Sequence, residues 1–522
     1  MAMKVSFFFV CFLMSFIFSS SSSLTTTTGS IDWWCTQTPH YQTCNHHIAY
    51  SNISSTTISI NQFLDMTVAA AINEARSVQK RAQGIYLDYE PNALGKNLWG
   101  SCVDYFDGIV FTLNMVLDPT EQARPLDVHT WLSAGLTYIN VCEKGFEMIN
   151  MTNTMLLSIS TELRELLLNS LAISVAIQGG SYSNNSRGLH GWEFSNEYKL
   201  LNSRNFDPDV TVAKDGSGDF MTVQEAVDST RKEREWGERY VIFVKRGVYE
   251  EQVYIAHDVN FVLMYGEGVN NTIISAAEHS GGDLKSSATF QVWGRGFMAV
   301  DMTFRNTAGP NGGQAVAFLS NSDESVIYHC SIEGYQDTLF SLHFKQFYKE
   351  CQIFGTVDFI FGNGHSVFQD CQVFLRKPLP GGGLVVTAQG RQYQNESSGF
   401  SLQGCNITAG EDLKPVIDQF KKAFLGRPWF DYARTVFMES FLDDLVDPLG
   451  WEDGWGHKDT AYCGEYNNYG PGSTTDHRVD WPNYEAITDP DIAKQFTVVE
   501  FIVGDDWIPT TGVPYVPGFE RS

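Results

Sequence analysis

The sequence predicts two folds in one chain. A disulfide-tied, all-α helical bundle occupies residues 31–177 and an all-β right-handed parallel β-helix occupies residues 207–522, with a polar connector over 178–206. Three observations carry this. Apolar residues recur at helical spacing in the first part, short β runs repeat irregularly in the second, and a stretch rich in Gly, Ser and Asn divides them. With 522 residues, 43% of them apolar, the chain can bury large cores and is no disordered or low-complexity polymer.

Residues 1–23 read as a secretory signal. Lys4 precedes a 14-residue run, Val5 to Phe18, apolar except for Ser6 and Ser15, and then serines. The run is short for a membrane span. Secretion to an extracellular setting is expected, and it makes disulfides permissible. Sequons at Asn52, Asn150, Asn184, Asn270, Asn395 and Asn406 agree with that route.

In the helical part, Ile60, Phe63, Leu64, Val68, Ile72, Ala75 and Val78 recur at three- and four-residue steps, as do Leu163, Leu166, Leu167 and Leu171. Pro91 and Pro125 fall between such segments. Cys35, Cys44, Cys102 and Cys142 lie here, and spacing alone leaves their three pairings open. This part shows no catalytic pattern. From Asp209 the text turns to runs such as Tyr240-Val241-Ile242-Phe243-Val244, punctuated by Gly and Asn.

The second part repeats. Met302, Cys330, Cys351, Cys371 and Cys405 align in one column at steps of 28, 21, 20 and 34 residues. Short strands in irregular repeats, with no helix between them and no leucine-rich pattern, predict a parallel β-solenoid whose longer steps carry loops. Asp337 and Asp358 each lie seven residues after a column cysteine. They therefore stack on adjacent coils, about 4.8 Å apart along the axis. Two stacked carboxylates resist joint ionisation, so one pKa should rise while the other stays low, giving a proton donor beside a nucleophile or base. A surface Asp ladder or a calcium site is the alternative; the aromatic neighbours of both acids weigh against calcium.

Five motifs, in order, resemble the plant-type pectin methylesterases over nearly all of residues 207–522. They are Gly247-Val248-Tyr249-Glu250-Glu251, Gln314-Ala315-Val316-Ala317-Phe318, Tyr335-Gln336-Asp337-Thr338-Leu339, Asp358-Phe359-Ile360-Phe361-Gly362 and Leu425-Gly426-Arg427-Pro428-Trp429. The resemblance implies a right-handed β-helix that hydrolyses methyl esters of pectin. It implies that Asp358 attacks the ester carbonyl and Asp337 is acid, then base. Gln314 and Gln336 would donate to the oxyanion, and Arg427 would hold the pKa of Asp358 down. Gln314, Arg427, Trp429, Trp451 and Phe361 would contact substrate. The first part resembles the family's inhibitor-like pro-domain, a four-helix bundle, which implies bridges Cys35–Cys44 and Cys102–Cys142. Cys371 and Cys405 stand where some members have a bridge; Cys330, Cys351 and Cys463 are left over. No cofactor or metal is expected. The implied partners are methylated homogalacturonan and an inhibitor, either a separate protein or the chain's own pro-domain.

The chain departs from the family's pattern at several positions. Phe340 and Leu342 replace a tyrosine and a histidine after the Tyr-Gln-Asp-Thr-Leu motif, Lys345 replaces an arginine, and Leu284 replaces a substrate-contacting threonine. The double-arginine processing site reads Tyr198-Lys199-Leu200-Leu201, with Arg187 as an alternative point of cleavage. A wall-binding or inhibitory protein with weakened activity, or a polygalacturonase-like enzyme, are the competing readings. Finally, 61 Asp+Glu against 35 Lys+Arg give −26, of which −20 falls after residue 203. That balance argues against nucleic acid and against stable membrane association. It predicts a preference for highly methylated, nearly neutral pectin.

Overall fold

The computed structural model describes residues 28–48, 57–88, 93–121, 123–149, 154–181, 207–230, 237–420 and 422–519. The signal segment, Pro91, Asn52, Asn150 and Asn184, and the connector beyond Ser181, with Arg187 and Lys199, lie outside the described residues.

Two short helices, α1 (Ile31–Thr36) and α2 (Tyr41–Ile48), precede four long ones: α3 (Ile60–Asp88), α4 (Ala93–Leu117), α5 (Pro125–Met148) and α6 (Thr154–Ser181). The Ser30 hydroxyl accepts the Trp33 N–H and caps α1. Pro125 opens α5 at the first position, where its missing N–H is no loss. The long helices pack in a ring, α3 and α5 each against α4 and α6, with the predicted stripes inside: Phe63, Val68, Leu163, Leu166, Leu167 and Leu171 are buried. Cys35–Cys44 joins α1 to α2 and Cys102–Cys142 joins α4 to α5. Helix α6 continues to Ser181, into the span expected as connector. Gln178 Nε2 donates to Pro125 O at 2.9 Å and ties α6 to the start of α5.

The second region is a parallel β-helix. Its strands form sheets of eleven, eight and seven members, and successive strands in sequence pass from one sheet to the next, so each sheet gains one strand per coil. The predicted column is in register: Thr303, Ser331, Gln352, Gln372 and Asn406, each one residue past it, pair in succession. The residue before each column position turns the corner with a left-handed backbone, as at Asp301, His329, Glu350 and Asp370 (φ 52 to 56°). A non-glycine residue pays roughly 1–2 kcal/mol for that conformation. Met302, Cys330, Cys351, Cys371 and Cys405 point inward and are fully buried. Cys371 and Cys405, expected as a bridge, are not joined. In-register stacking aims both thiols the same way, into the core, and each donates to a carbonyl, of Gln369 and Gln403 respectively. Cys330, Cys351 and Cys463 are also free and buried. The sequon residue Asn406 uses its amide nitrogen in the stack, donating to Gln372 Oε1 at 2.9 Å, whereas Asn270 and Asn395 are exposed.

Side chains alternate inward and outward along each strand. Phe290, Phe318, Leu339, Ile360 and Leu425 of the seven-stranded sheet fill the solenoid interior, and α7 (Val223–Asp228) helps to close its first coils. The outer face of the eleven-stranded sheet is covered by the C-terminal segment, with α8 (Pro490–Lys494) and α9 (Val498–Ile502). The outer face of the seven-stranded sheet is covered by the helical region. There Leu319, Phe340, Phe361 and Ala388 share one buried cluster with the bundle.

This second junction combines apolar contact with charge. Tyr105 and Tyr138 stand 5.9 and 6.1 Å from Trp293. Lys345, fully buried, donates to Asp127 of α5 at 2.6 Å and to Glu324 at 2.9 Å. Arg124 pairs with Glu324 and Asp506, and Arg295 pairs with Glu121. His343 is buried between Thr137 Oγ1 (2.9 Å) and Thr130 O (3.0 Å), and burial lowers its pKa to about 4. A Cβ at Gly282 would collide with Ile149, the residue that follows α5, so the two regions meet as backbone against side chain.

Candidate active site

The chemistry collects on the outer side of the seven-stranded sheet. Gln291, Leu319, Phe340, Phe361 and Ala388 occupy one outward column on successive coils. Asp337 and Asp358 precede Leu339 and Ile360, which pair with each other, so the two acids stack as the repeat predicts. Both take left-handed backbone, φ 59° and 52°. That unfavourable conformation turns each acid out of the strand path toward the cleft, and it is held by the ladder: Asp337 N donates to Val357 O at 3.1 Å.

Each carboxylate has its own partner. Arg427, two coils beyond Asp358, grips it with two bonds, Nε to Oδ1 at 2.8 Å and Nη2 to Oδ2 at 2.7 Å. This fork geometry is the strongest form of such a pair. Gln314, on the preceding coil, donates from Nε2 to Asp337 Oδ2 at 2.8 Å. Gln336 is bridged to Gln314 through the backbone and stands half-exposed beside it. Arg427 also reaches Glu452 at 3.2 Å, and the Trp455 ring lies 4.4 Å from its guanidinium.

Both acids are 4% exposed, and burial is the main influence on both. It drives Asp337 well above the ordinary carboxylate range, and the neighbouring Asp358 drives it further. Asp358 was expected to stay low. Burial raises it as well, against the opposing pull of Arg427. The predicted asymmetry therefore survives as a larger rise at Asp337. Burial and their mutual repulsion favour a shared proton on the pair, more strongly at Asp337.

Between the acids and the helical region lies a cavity of about 300 Å³. Gln314, Asp337 and Asp358 form its polar wall, and Leu284, Phe361, Ala388 and Trp429 line it with apolar surface. Phe361 stacks on Phe340 at 4.3 Å, and Trp429 meets it edge-on at 5.7 Å. Trp451 is elsewhere. It is 2% exposed in the solenoid core, with Nε1 donating to Glu465 Oε1 at 3.3 Å, so no sugar can stack on it. Trp455, which is 58% exposed, lines the cavity instead. Its position between Gly454 and Gly456 was the signal that could have picked it over Trp451. Lys144, Glu147 and Met148 of α5 also line the cavity. No sequence pattern marked them, because they reach the site only through docking of the bundle.

The four departures from the family's pattern have one location. Leu284, Phe340 and Leu342 belong to the buried cluster shared with the bundle, and Lys345 is the cation held by Asp127. An aliphatic or ring carbon at these places meets helix side chains rather than water.

Comparisons with known proteins bear on both regions. The Pectinesterase family model matches residues 209–505, and the plant invertase/pectin methylesterase inhibitor model matches residues 29–173. "Pectinesterase 2" of Citrus sinensis is 39% identical over 490 residues, covering 93% of this chain and 94% of that protein. "Probable pectinesterase/pectinesterase inhibitor 33" of Arabidopsis thaliana is 37% identical over 519 residues, covering 94% and 86%. Among solved structures, the pectin methylesterase from carrot superposes with a TM-score of 0.59 at 42% identity, over 60% of this chain and 99% of that one. The pectin methylesterase from Aspergillus niger gives 0.51 at 29% identity, over 58% and 96%.

Proposed function

The chain belongs to the pectinesterase family, carboxylic ester hydrolases that act on pectin, and we propose that it removes the methyl esters of pectin through Asp358 as nucleophile and Asp337 as acid and base. The observation that carries this assignment is the pairing of Arg427 with Asp358 beside Gln314 with Asp337 in one cavity.

Arg427 favours the ionised form of Asp358 and fixes both of its oxygens, leaving their outer lone pairs toward the cavity. One oxygen attacks the ester carbonyl carbon, and the carbonyl electrons move onto its oxygen. Gln314 and Gln336 supply amide N–H groups for that oxyanion. As it collapses, the bond to the methoxy oxygen breaks and Asp337 gives its proton to that oxygen, releasing methanol. Water then attacks the acyl carbon, returns a proton to Asp337 and frees Asp358 with the acid product. A raised pKa at Asp337 suits the donor, because it favours the protonated form that the departing methanol needs.

The helical region acts as an inhibitor of its own solenoid, since α5 walls the same cavity as the two acids. The signal-like start of the sequence supports secretion, and the plant pectinesterase relatives support the cell wall as the destination. Among the described residues no helix is long and apolar enough to cross a membrane. The charge of −20 on the solenoid side favours highly methylated pectin and repels the acidic product.

The test is methanol release from methyl-esterified galacturonates of every size, monomer to polymer, comparing the chain with Asp358→Ala. A fall of at least about 10³-fold is expected. Turnover that survives in Asp358→Ala would sink the assignment.

A further inference from the structure

Arg427 holds more than Asp358. Its Nε and Nη2 go to the two oxygens of Asp358, and Nη1 donates to Glu452 Oε2 at 3.2 Å. The register explains the meeting. Gly426 and Trp451 pair in parallel across adjacent coils, so the residues that follow them, Arg427 and Glu452, stand side by side. Glu452 N donates to Gly426 O at 3.0 Å, and Trp451 is sunk in the solenoid core, so the start of this segment is fixed. The segment then folds over Arg427. Gly456 N donates to Pro428 O at 3.1 Å, a Cβ at Gly454 would strike that same carbonyl, and the Trp455 ring lies against the guanidinium.

A two-bond grip by Arg427 alone has a drawback for a nucleophile. It sets a full positive charge against the oxygens that must attack, and a carboxylate so neutralised is a weak base and a weak nucleophile. A second carboxylate on the guanidinium takes part of that charge. We propose that Glu452 is a positioning residue for the reaction: it fixes the guanidinium edge-on to Asp358 and shares its positive charge, so that Asp358 is gripped without being silenced. The proposal rests on the assignment of Asp358 as nucleophile given above. It agrees with the direction of the Asp358 pKa, which rises under burial and the added charge of Glu452 in spite of the fork. Glu452 is not among the residues lining the cavity, so it acts through Arg427 and not on the ester. The other charges around Asp358 are placed differently. Asp337 stacks beside it, Lys144 and Glu147 of α5 line the cavity as a pair at 2.9 Å, and Asp453 meets Lys458 at 3.6 Å. Among the described residues, Glu452 alone shares Arg427 with Asp358.

The full chain is assayed for methanol release from methyl-esterified galacturonates across the pH range, beside Glu452→Gln, Glu452→Asp and Glu452→Ala. The acid limb of the pH–rate profile reports the ionisation that frees Asp358 to attack. In Glu452→Gln an acceptor for Nη1 remains and the charge is gone, so the limb should move to lower pH by about half a unit or more. Its plateau kcat should fall about threefold while KM stays within about twofold. Glu452→Ala should move the limb as far and cost about tenfold in kcat, since the orienting bond is lost as well. Glu452→Asp keeps a charge in place and should hold the limb within about 0.2 unit of the parent. A titration of the chain carrying carboxyl-13C aspartate, with the Asp358 signal identified by its loss in Asp358→Asn, reads the same displacement without turnover. A Glu452 that only supports the fold would lower the unfolding midpoint in all three variants and leave the limb where it was. That result overturns the proposal, as does a limb that moves to higher pH in Glu452→Gln. A displacement in Glu452→Asp equal to that in Glu452→Gln also overturns it, because charge would then not be the cause. If the 13C displacement appears while no ester yields methanol with the intact chain or any variant, Glu452 is coupled to Asp358 as described and the esterase assignment is what falls.

Discussion

The solenoid has two covered outer faces, and they are covered in different ways. Over the eleven-stranded sheet, the C-terminal segment lays Ala493, Phe496, Val498, Phe501, Ile502, Trp507 and Ile508 on Leu263, Met298, Val326, Phe347, Val367 and Val436. Its polar links are to backbone: Gln369 and Gln403 donate to Val516 O and Gly518 O. Over the seven-stranded sheet, the bundle leaves a cavity and buries Lys345, Asp127, His343 and Glu396. An apolar cover gains stability from every contact. A cover with buried charge gains little net energy from its ion pairs, because desolvation offsets their attraction, yet each pair is costly to break singly. The first cover is held chiefly by apolar contact, and the second adds buried pairs that contribute specificity more than stability.

Substitutions on the two faces should therefore fail differently. The largest effect is expected from Asp337→Asn on the catalytic face. Methanol release should fall by about 10³-fold and lose its alkaline limb, with the thermal unfolding transition still present. Loss of the alkaline limb follows because that limb reports the proton which Asp337 holds at raised pKa. On the opposite face, Phe501→Ala should do the reverse, lowering unfolding free energy by about 4 kcal/mol while the folded fraction keeps its kcat. Its ring lies 4.3 Å from His365 and 5.4 Å from Phe496, far down in the apolar cover. If Phe501→Ala merely frees a loose tail, the comparison breaks.

A smaller effect singles out the charged cover. Glu396 is fully buried, and burial raises its pKa from 4.5 to about 7, opposed by the N–H groups of Tyr393 and Gln392, by Arg391 and by Asn363. The fold prefers the neutral acid, so this group's contribution is complete below pH 4.5 and is lost as pH rises through about 7. Relative to the chain itself, Glu396→Gln should gain on the order of 3 kcal/mol in unfolding free energy between pH 4 and pH 8. Chemical denaturation at both pH values checks it; equal differences at the two would remove Glu396 as a pH-sensitive group. Smallest is Arg427→Lys, expected to cost about tenfold in kcat because a point charge replaces the two-bond grip. Asp358 would then ionise less readily, so the acid limb of the pH–rate profile should move to higher pH.

The solenoid was legible because its repeat is local. The Met302, Cys330, Cys351, Cys371 and Cys405 column and the seven-residue offset of both acids appear in the text and recur in the register. Helix stripes were legible for the same reason. What failed was whatever depends on direction or on docking. Trp451 and Trp455 lie four residues apart in one irregular segment, where no period says which ring turns inward. Cys371 and Cys405 are adjacent in space, but adjacency in a stack is not bridging geometry. Leu284, Phe340, Leu342 and Lys345 stand in the sequence only as departures, because their burial under the bundle comes from docking. The rise at Asp358 was misjudged because spacing reveals its partner, Arg427, but not how completely both are buried.

The left-handed corner before each column residue has a further consequence. Coil lengths vary between 20 and 34 residues, yet the strands after the corners stay aligned. Each corner thus works like a typewriter's carriage return: whatever was inserted on one line, the next begins at the same margin. Errors of length do not accumulate along the axis. Loops can be lengthened on one side of the solenoid over evolutionary time while two acids, each counted seven places from its own margin, keep facing each other.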